Sequence, residues 1–158
     1  MYDAVQKAIY YFLVKHAKAD LELDNVTELT EEMVIAIKEH AGIEGMIIDV
    51  DETLRKNSKE IPRCNQDWLE MVAKHFKIVI LSNGLDREMK TYFEGLGIKY
   101  IPLAFKPGPF GFTKACKSMG LKPKNVVMVG DHIVDDIFGA KINGLKSIEV
   151  NDVKDDER

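Results

Sequence analysis

The stretch Gly45-Met46-Ile47-Ile48-Asp49-Val50-Asp51-Glu52-Thr53-Leu54 constrains the fold more than any other part of the chain. A run of apolar residues ends abruptly in carboxylates, with a threonine two positions past the second. Such a run reads as a strand buried on both faces, its charged tip protruding from the sheet. In parallel α/β sheets ligands bind at the carboxyl ends of strands, so Asp49 and Asp51 would sit where chemistry is done. Two apart, they point the same way if the strand geometry persists. Carboxylates that close do not comfortably both ionise unless a cation lies between them or one keeps a proton. The pattern points to a metal, to acid–base chemistry, or to both.

The rest of the chain alternates strand and helix signals. Apolar residues at Tyr2, Val5, Ile9, Phe12 and Leu13 predict a helix over 2–17, with Tyr10 and Val14 widening its apolar surface. Thr30 with Glu31 and Glu32 opens a second helix, which Gly42 closes. Strand one follows at 45–50, then a polar loop over 55–64. Asn65 is expected to cap a helix carrying Trp68, Leu69, Val72 and Phe76. Strand two is Lys77–Leu81, ending at Ser82-Asn83-Gly84, and a helix over 86–94 stops at Gly97. Strand three spans 99–104, and a helix after Pro107-Gly108-Pro109 runs to Met119 with Gly120 as its stop. Strand four is 126–129, a helix covers 133–142, and strand five is 146–150. Strands alternating with helices mean a five-stranded parallel sheet covered on both faces.

Four strand ends carry polar groups that would converge. The first supplies Asp49 and Asp51, the second Ser82, and the fourth Asp131 with Asp135 or Asp136 a turn later. Lys106 follows the third, just before a helix start that leaves backbone N–H groups free. Acids hold a hard divalent cation through oxygen, and Mg²⁺ commonly binds one or two carboxylates plus phosphate. Lysine and hydroxyl donors neutralise phosphoryl oxygens as charge develops on them. The set suits metal-assisted chemistry on a phosphate ester.

Composition bounds the rest. With 158 residues, 46% of them hydrophobic, the chain can bury one substantial core. A net charge of -4 argues against a general nucleic-acid binder, so no nucleic-acid partner is expected. No apolar run reaches bilayer-spanning length, the N-terminus lacks a signal-peptide pattern, and Cys64 and Cys116 stand in no metal-ligand spacing. A cytoplasmic protein with reduced thiols is expected. The helix over 2–17, with Lys7, Lys15 and Lys18, would pack on the core, meet a second subunit in a homo-oligomer, or touch the inner face of a membrane peripherally.

With these residues assembled, the chain resembles the haloacid dehalogenase (HAD) superfamily of phosphatases over about 43–150. Asp49-Val50-Asp51-Glu52-Thr53 matches motif one, Ser82 motif two, Lys106 motif three, and Gly130-Asp131 through Asp136 motif four. Ala104-Phe105-Lys106-Pro107, with Gly139 and Asn143-Gly144, resembles the subclass IIIA, YqeG-like branch, which includes phosphatidylglycerophosphate phosphatases. Members of that branch often read Asp-Asn-Thr where this chain has Asp51-Glu52-Thr53.

The resemblance implies a three-layer Rossmann-like core over 43–150; outside it, periodicity and composition predict a helical N-terminal extension over 1–42 packed on the core and a polar, frayed tail over 151–158. It implies that Asp49 attacks phosphorus and that Asp51 is the proton donor and acceptor. Mg²⁺ would be held by Asp49, the Asp51 backbone carbonyl and Asp131, with Asp136 supporting that shell and orienting Lys106. Ser82 and Lys106 would grip the phosphoryl oxygens, Thr53 would hold the loop, and Asn83 and Gly84 would meet substrate. Related enzymes often insert a cap domain after motif one or between motifs two and three; neither interval here leaves room for one. An open site suits a phosphorylated substrate whose bulk stays outside, such as a lipid head group, or a small sugar phosphate or nucleotide enclosed by another subunit. Arg55, Lys56 and the 107–112 loop would add specificity, and His132 would touch substrate or cap its helix.

Overall fold

In the computed structural model, residues 4, 5, 7, 8 and 17–154 are described. Six parallel strands form one sheet: β1 (Leu21–Leu23), β2 (Gly45–Ile48), β3 (Lys77–Leu81), β4 (Lys99–Ile101), β5 (Val126–Gly130) and β6 (Lys146–Val150), in the order β1-β6-β5-β2-β3-β4. The fifth to appear in the expected list is β6; the extra strand is β1, so the five-stranded expectation is corrected to six. Leu21 pairs with Ile148 and Leu23 with Val150, and the Asp20 N–H donates to Ser147 O. Three residues are too few to show a period, and flanking Asp20 and Asp24 disguise the Leu-Glu-Leu alternation. The tail leans on this strand: the Asn151 N–H donates to Leu23 O and Asp24 O, and Val153 is buried. Residues 151–153 are therefore pinned rather than frayed. The helix expected over 2–17 lies mostly outside the described residues; residues 4, 5, 7 and 8 are helical.

The central strand, β2, is buried along its whole length. Met46 and Ile48 face one core layer with Val34 of α1 (Glu31–Ala41), Leu69 and Val72 of α2 (Arg63–Ala73) and Phe93 of α3 (Arg87–Gly95). Ile47 faces the other, with Phe112, Ala115 and Cys116 of α4 (Pro109–Met119) and Ala140 of α5 (Gly139–Ile142). This alternation is the period-two pleat of a strand covered on both sides.

Local chemistry sets the helix ends. The Thr30 side chain accepts from the Met33 N–H, and Gly42 closes α1 with a left-handed φ of 67°. Asp86 accepts from Glu88 N and Met89 N to start α3. The expectation for Asn65 is overturned. Pro62 precedes the first turn of α2, and the buried Asn65 side chain donates instead to Leu54 O at 2.9 Å, tying α2 to the loop after β2. Before α5 the chain winds through Ile133–Phe138 in wide π-type turns, with the Ile137 N–H on His132 O.

The chain leaves β2 for β3 and β4 on one side, then returns to β5 and β6 on the other. A crevice opens outside the carboxyl ends where the direction switches, between β2, β3 and β5. Between Ser82 and Lys106 there are only α3, β4 and loops, and between Thr53 and α2 only a loop. Among the described residues no cap covers that crevice, and no helix is long and apolar enough to cross a membrane.

Candidate active site

The crevice holds a pocket of about 200 Å³. Asp49 prolongs β2 by one rung, its N–H donating to Val129 O at 3.0 Å, and so enters the pocket from a rigid support. Its Oδ1 accepts from Lys106 Nζ at 2.9 Å. The buried Thr53 hydroxyl lies 3.5 Å from Asp49 Oδ2 and 3.3 Å from Asp131 Oδ1. Asp131 follows β5, and Asp136 sits one wide turn further on. Asp49, Asp131 and Asp136 each bring an oxygen within 4.8 Å of the others.

Lys106 is the cation at the centre. Its side chain is 2% exposed and donates to Asp136 Oδ1 at 2.6 Å as well as to Asp49. Burial alone would discharge it, but Asp136 and Asp49 together hold its pKa above the ordinary lysine value. The loop that presents it is clamped by Asn83, whose Oδ1 accepts from the Lys106 N–H at 2.7 Å and whose Nδ2 donates to Lys106 O at 3.1 Å.

The carboxylates are crowded. Burial, then repulsion from Asp49, pushes Asp131 up to about 6. The same two causes raise the fully buried Asp136, against the downward pull of Lys106. Both oxygens of Asp136 are engaged, Oδ1 by Lys106 and Oδ2 by the His132 N–H at 3.2 Å. Asp135 lies at the rim with Oδ2 3.3 Å from Asn83 Nδ2, so the wide turn settles which of the two acids faces inward. His132 caps the turn, its Nδ1 accepting from the Asp135 N–H.

Gly130 is needed because a Cβ there would run into the Asp136 carboxylate. Gly130→Ala is expected to cost about 1–3 kcal/mol by overpacking. A thermal melt of the variant checks it; unchanged stability would mean that Asp136 has room to move.

Asp51 stands apart from the trio. Its side chain is 52% exposed and pairs with Arg55 Nε at 2.8 Å. Arg55 is buried, and its Nη2 donates to Asp86 Oδ2 at 2.8 Å. Arg55, expected near the substrate, is thus committed to two carboxylates, a link that its i+4 spacing from Asp51 could have suggested. Asp86, read only as a helix start, reaches the site through this arginine. Ser82 Oγ accepts from the Gly84 N–H at 3.2 Å and lines the pocket with Asp51, Asn83 and Gly84. A larger cleft of about 700 Å³, lined by Lys99, Phe110 and Lys114, contains none of these acids. The convergent carboxylates mark the smaller pocket as the chemical one.

The family model of haloacid dehalogenase-like hydrolases matches residues 69–144, which carry Ser82, Lys106, Asp131 and Asp136. A relative described as a probable phosphatase YqeG, from Bacillus subtilis, is 34% identical over 143 residues, covering 87% of this chain and 79% of its own length. The chain belongs to the haloacid dehalogenase superfamily. It is a HAD-type phosphatase of the YqeG-like kind. A glyceraldehyde 3-phosphate phosphatase from Pyrococcus furiosus is 30% identical over 99 residues, 57% of this chain but only 41% of that one. The fold is shared with a crystal structure of an uncharacterized protein from Listeria monocytogenes serotype 4b, at TM-score 0.58 and 21% identity over 73% of this chain and 84% of that one.

Proposed function

We propose that this HAD phosphatase is a Mg²⁺-dependent phosphomonoesterase that works through an aspartyl-phosphate on Asp49. The observation that carries the reading is the Asp49 carboxylate held at 2.9 Å by a buried lysine, which Asp136 orients from 2.6 Å. Phosphoryl oxygens entering beside Asp49 would find Lys106 and Ser82 as donors. An Asp49 oxygen forms the new bond to phosphorus as the ester P–O bond breaks, and Asp51 gives its proton to the departing oxygen. Water then attacks phosphorus and yields a proton to Asp51, and the bond to Asp49 breaks to release phosphate.

The residues fit a hard cation. The donors are all oxygen, and the raised Asp131 reports a site short of positive charge. Asp49, Asp131 and the Asp51 backbone carbonyl would hold Mg²⁺, while Asp136, with both oxygens engaged, would serve as support. When bound, the ion supplies charge neutralisation for the carboxylates and the phosphoryl group. An uncapped site suits an ester whose bulk remains outside, phosphatidylglycerophosphate among them.

A panel of phosphate esters, assayed for release with Mg²⁺ and with chelator, tests the reading. Release that needs Mg²⁺, and a stable adduct with beryllium fluoride, are expected; release that survives the chelator would contradict it. Metal binding should also depend on pH. The folded pKa of Asp131, about 6, lies above its ordinary 3.8. The stability linked to its protonation is present at low pH and lost as pH rises through about 6. Saturating Mg²⁺ should therefore raise the melting temperature more at pH 8 than at pH 5. Because Asp131 is partly exposed, solvent screening limits the difference to about 1–2 kcal/mol, a few °C. Equal shifts at both pH values would remove Asp131 from the metal site.

A further inference from the structure

Beside the phosphate pocket lies a second cavity of about 150 Å³. The two share Asp51, Ser82 and Gly84 as a common wall. The second contains neither Asp49 nor Lys106 nor Asp131; beyond the wall it is bounded by Arg55, Ser58, Leu85, Asp86 and Tyr100. We propose that this cavity is the leaving-group subsite and that it accepts a small, uncharged polyol. The proposal rests on the roles given above to Asp49 and Asp51.

Phosphoryl displacement runs in line, so the departing oxygen must lie on the side of phosphorus away from Asp49. The group that protonates it must border the same space. Asp51 borders both cavities, and Arg55 holds its Oδ1 there at 2.8 Å. The cavity with Asp51 but without Asp49 is the one an alcohol enters when phosphate occupies the first.

Size and charge narrow the occupant. At about 30 Å³ per water-sized atom, the cavity holds roughly five non-hydrogen atoms, close to a three-carbon polyol. Arg55 brings the one positive charge, and Asp51 and Asp86 already match it at 2.8 Å each. Inside the cavity no unmatched cation is left to receive a carboxylate or a second phosphate, so any charged bulk beyond the polyol unit stays outside it. Hydroxyl groups, in contrast, find acceptors in Asp86 and Asp51 and partners in Ser58 and in Tyr100, whose hydroxyl accepts from the Asp86 N–H.

The test compares kcat/KM, with Mg²⁺, for glycerol 3-phosphate, the similarly sized anion 3-phosphoglycerate, and methyl phosphate, whose leaving group is too small to fill the cavity. Wild type is expected to favour glycerol 3-phosphate over 3-phosphoglycerate by about tenfold or more, from one uncompensated charge. Asp86→Asn, which keeps a good helix cap, should narrow that ratio severalfold. Leu85→Trp should narrow the ratio of glycerol 3-phosphate to methyl phosphate about tenfold by filling the mouth. Ratios within one variant cancel general damage to the enzyme. A wild type that prefers the anion, or two variants with wild-type ratios, would overturn the subsite while leaving the nucleophile in place. Release that survives Asp49→Asn would instead overturn the catalytic reading beneath it.

Discussion

Asp49→Asn is expected to lower phosphate release on the order of a thousandfold or more, and yet to raise the melting temperature of the metal-free protein. The activity falls because an amide oxygen is a poor nucleophile toward phosphorus and does not form the acyl phosphate through which the reaction passes. Stability moves the other way because Asp49 is a shared cause of two strained neighbours: it pushes up both Asp131 and Asp136. An asparagine can still accept from Lys106 through Oδ1, and its Nδ2 can donate to the Thr53 hydroxyl in place of accepting from it, so the contacts at 2.9 and 3.5 Å need not be lost. The repulsion matters only where Asp131 is ionised. The gain, about 1 kcal/mol after solvent screening, should therefore be present at pH 8 and fade as pH falls below about 6. Added Mg²⁺ should reverse the order, since wild type gains a ligand that the variant holds poorly. Melts at pH 5 and pH 8, with and without the ion, measure all four terms. A variant less stable than wild type at pH 8 without metal would show that Asp49 is held by attraction to Lys106 more than it is repelled by its fellow acids. That trade of stability for chemistry is common where an enzyme concentrates like charges.

Much of this arrangement can be read from the linear chain because parallel strands buried on both faces are written as continuous apolar runs. Met46-Ile47-Ile48 and Ile78-Val79-Ile80-Leu81 run straight into a polar residue, and Val126-Val127-Met128-Val129 does so after Gly130; in this fold the first polar residue marks the edge where ligands bind. Asp49, Ser82 and Asp131 are visible for that reason. Three things are not. β1 is too short to show a period, and only its ladder with β6 makes it a strand. The wide turn at Ile133–Phe138 depends on which carbonyl each N–H finds, so periodicity cannot tell whether Asp135 or Asp136 faces Lys106. Asn65 looks like a cap because its type suits that role, but Leu54 O, eleven residues earlier in the chain, competes for the same side chain. Arg55 falls between these cases. Its spacing from Asp51 was legible, its second partner Asp86 was not, since that contact spans 31 residues. Local rules thus place the acids at the strand ends; long-range contacts decide which acid pairs with which base.

The largest effect on folding should come from Lys106→Met, a change close to isosteric for the buried stem. The ammonium it removes lies 2.9 Å from Asp49 and 2.6 Å from Asp136, with almost no access to solvent. Leaving a buried carboxylate without its cation costs roughly 3–5 kcal/mol, a large share of the 5–15 kcal/mol typical of a whole domain. The deficit should depend on pH in a definite sense. Burial and Asp49 already raise Asp136, and without Lys106 only the His132 N–H is left to pull it back. The variant can recover by protonating Asp136, so its deficit should be smallest at low pH and grow as pH rises. Activity should be lost throughout, because the phosphoryl group loses its main donor. The double variant Lys106→Met with Asp136→Asn separates charge from packing. If the uncompensated carboxylate is the cause, the second change should restore most of the stability and none of the activity. If the double variant is as unstable as the single one, the cost lies instead in how the side chain fills the wall between α4 and the wide turn, and the ion pair serves orientation of Asp49 alone.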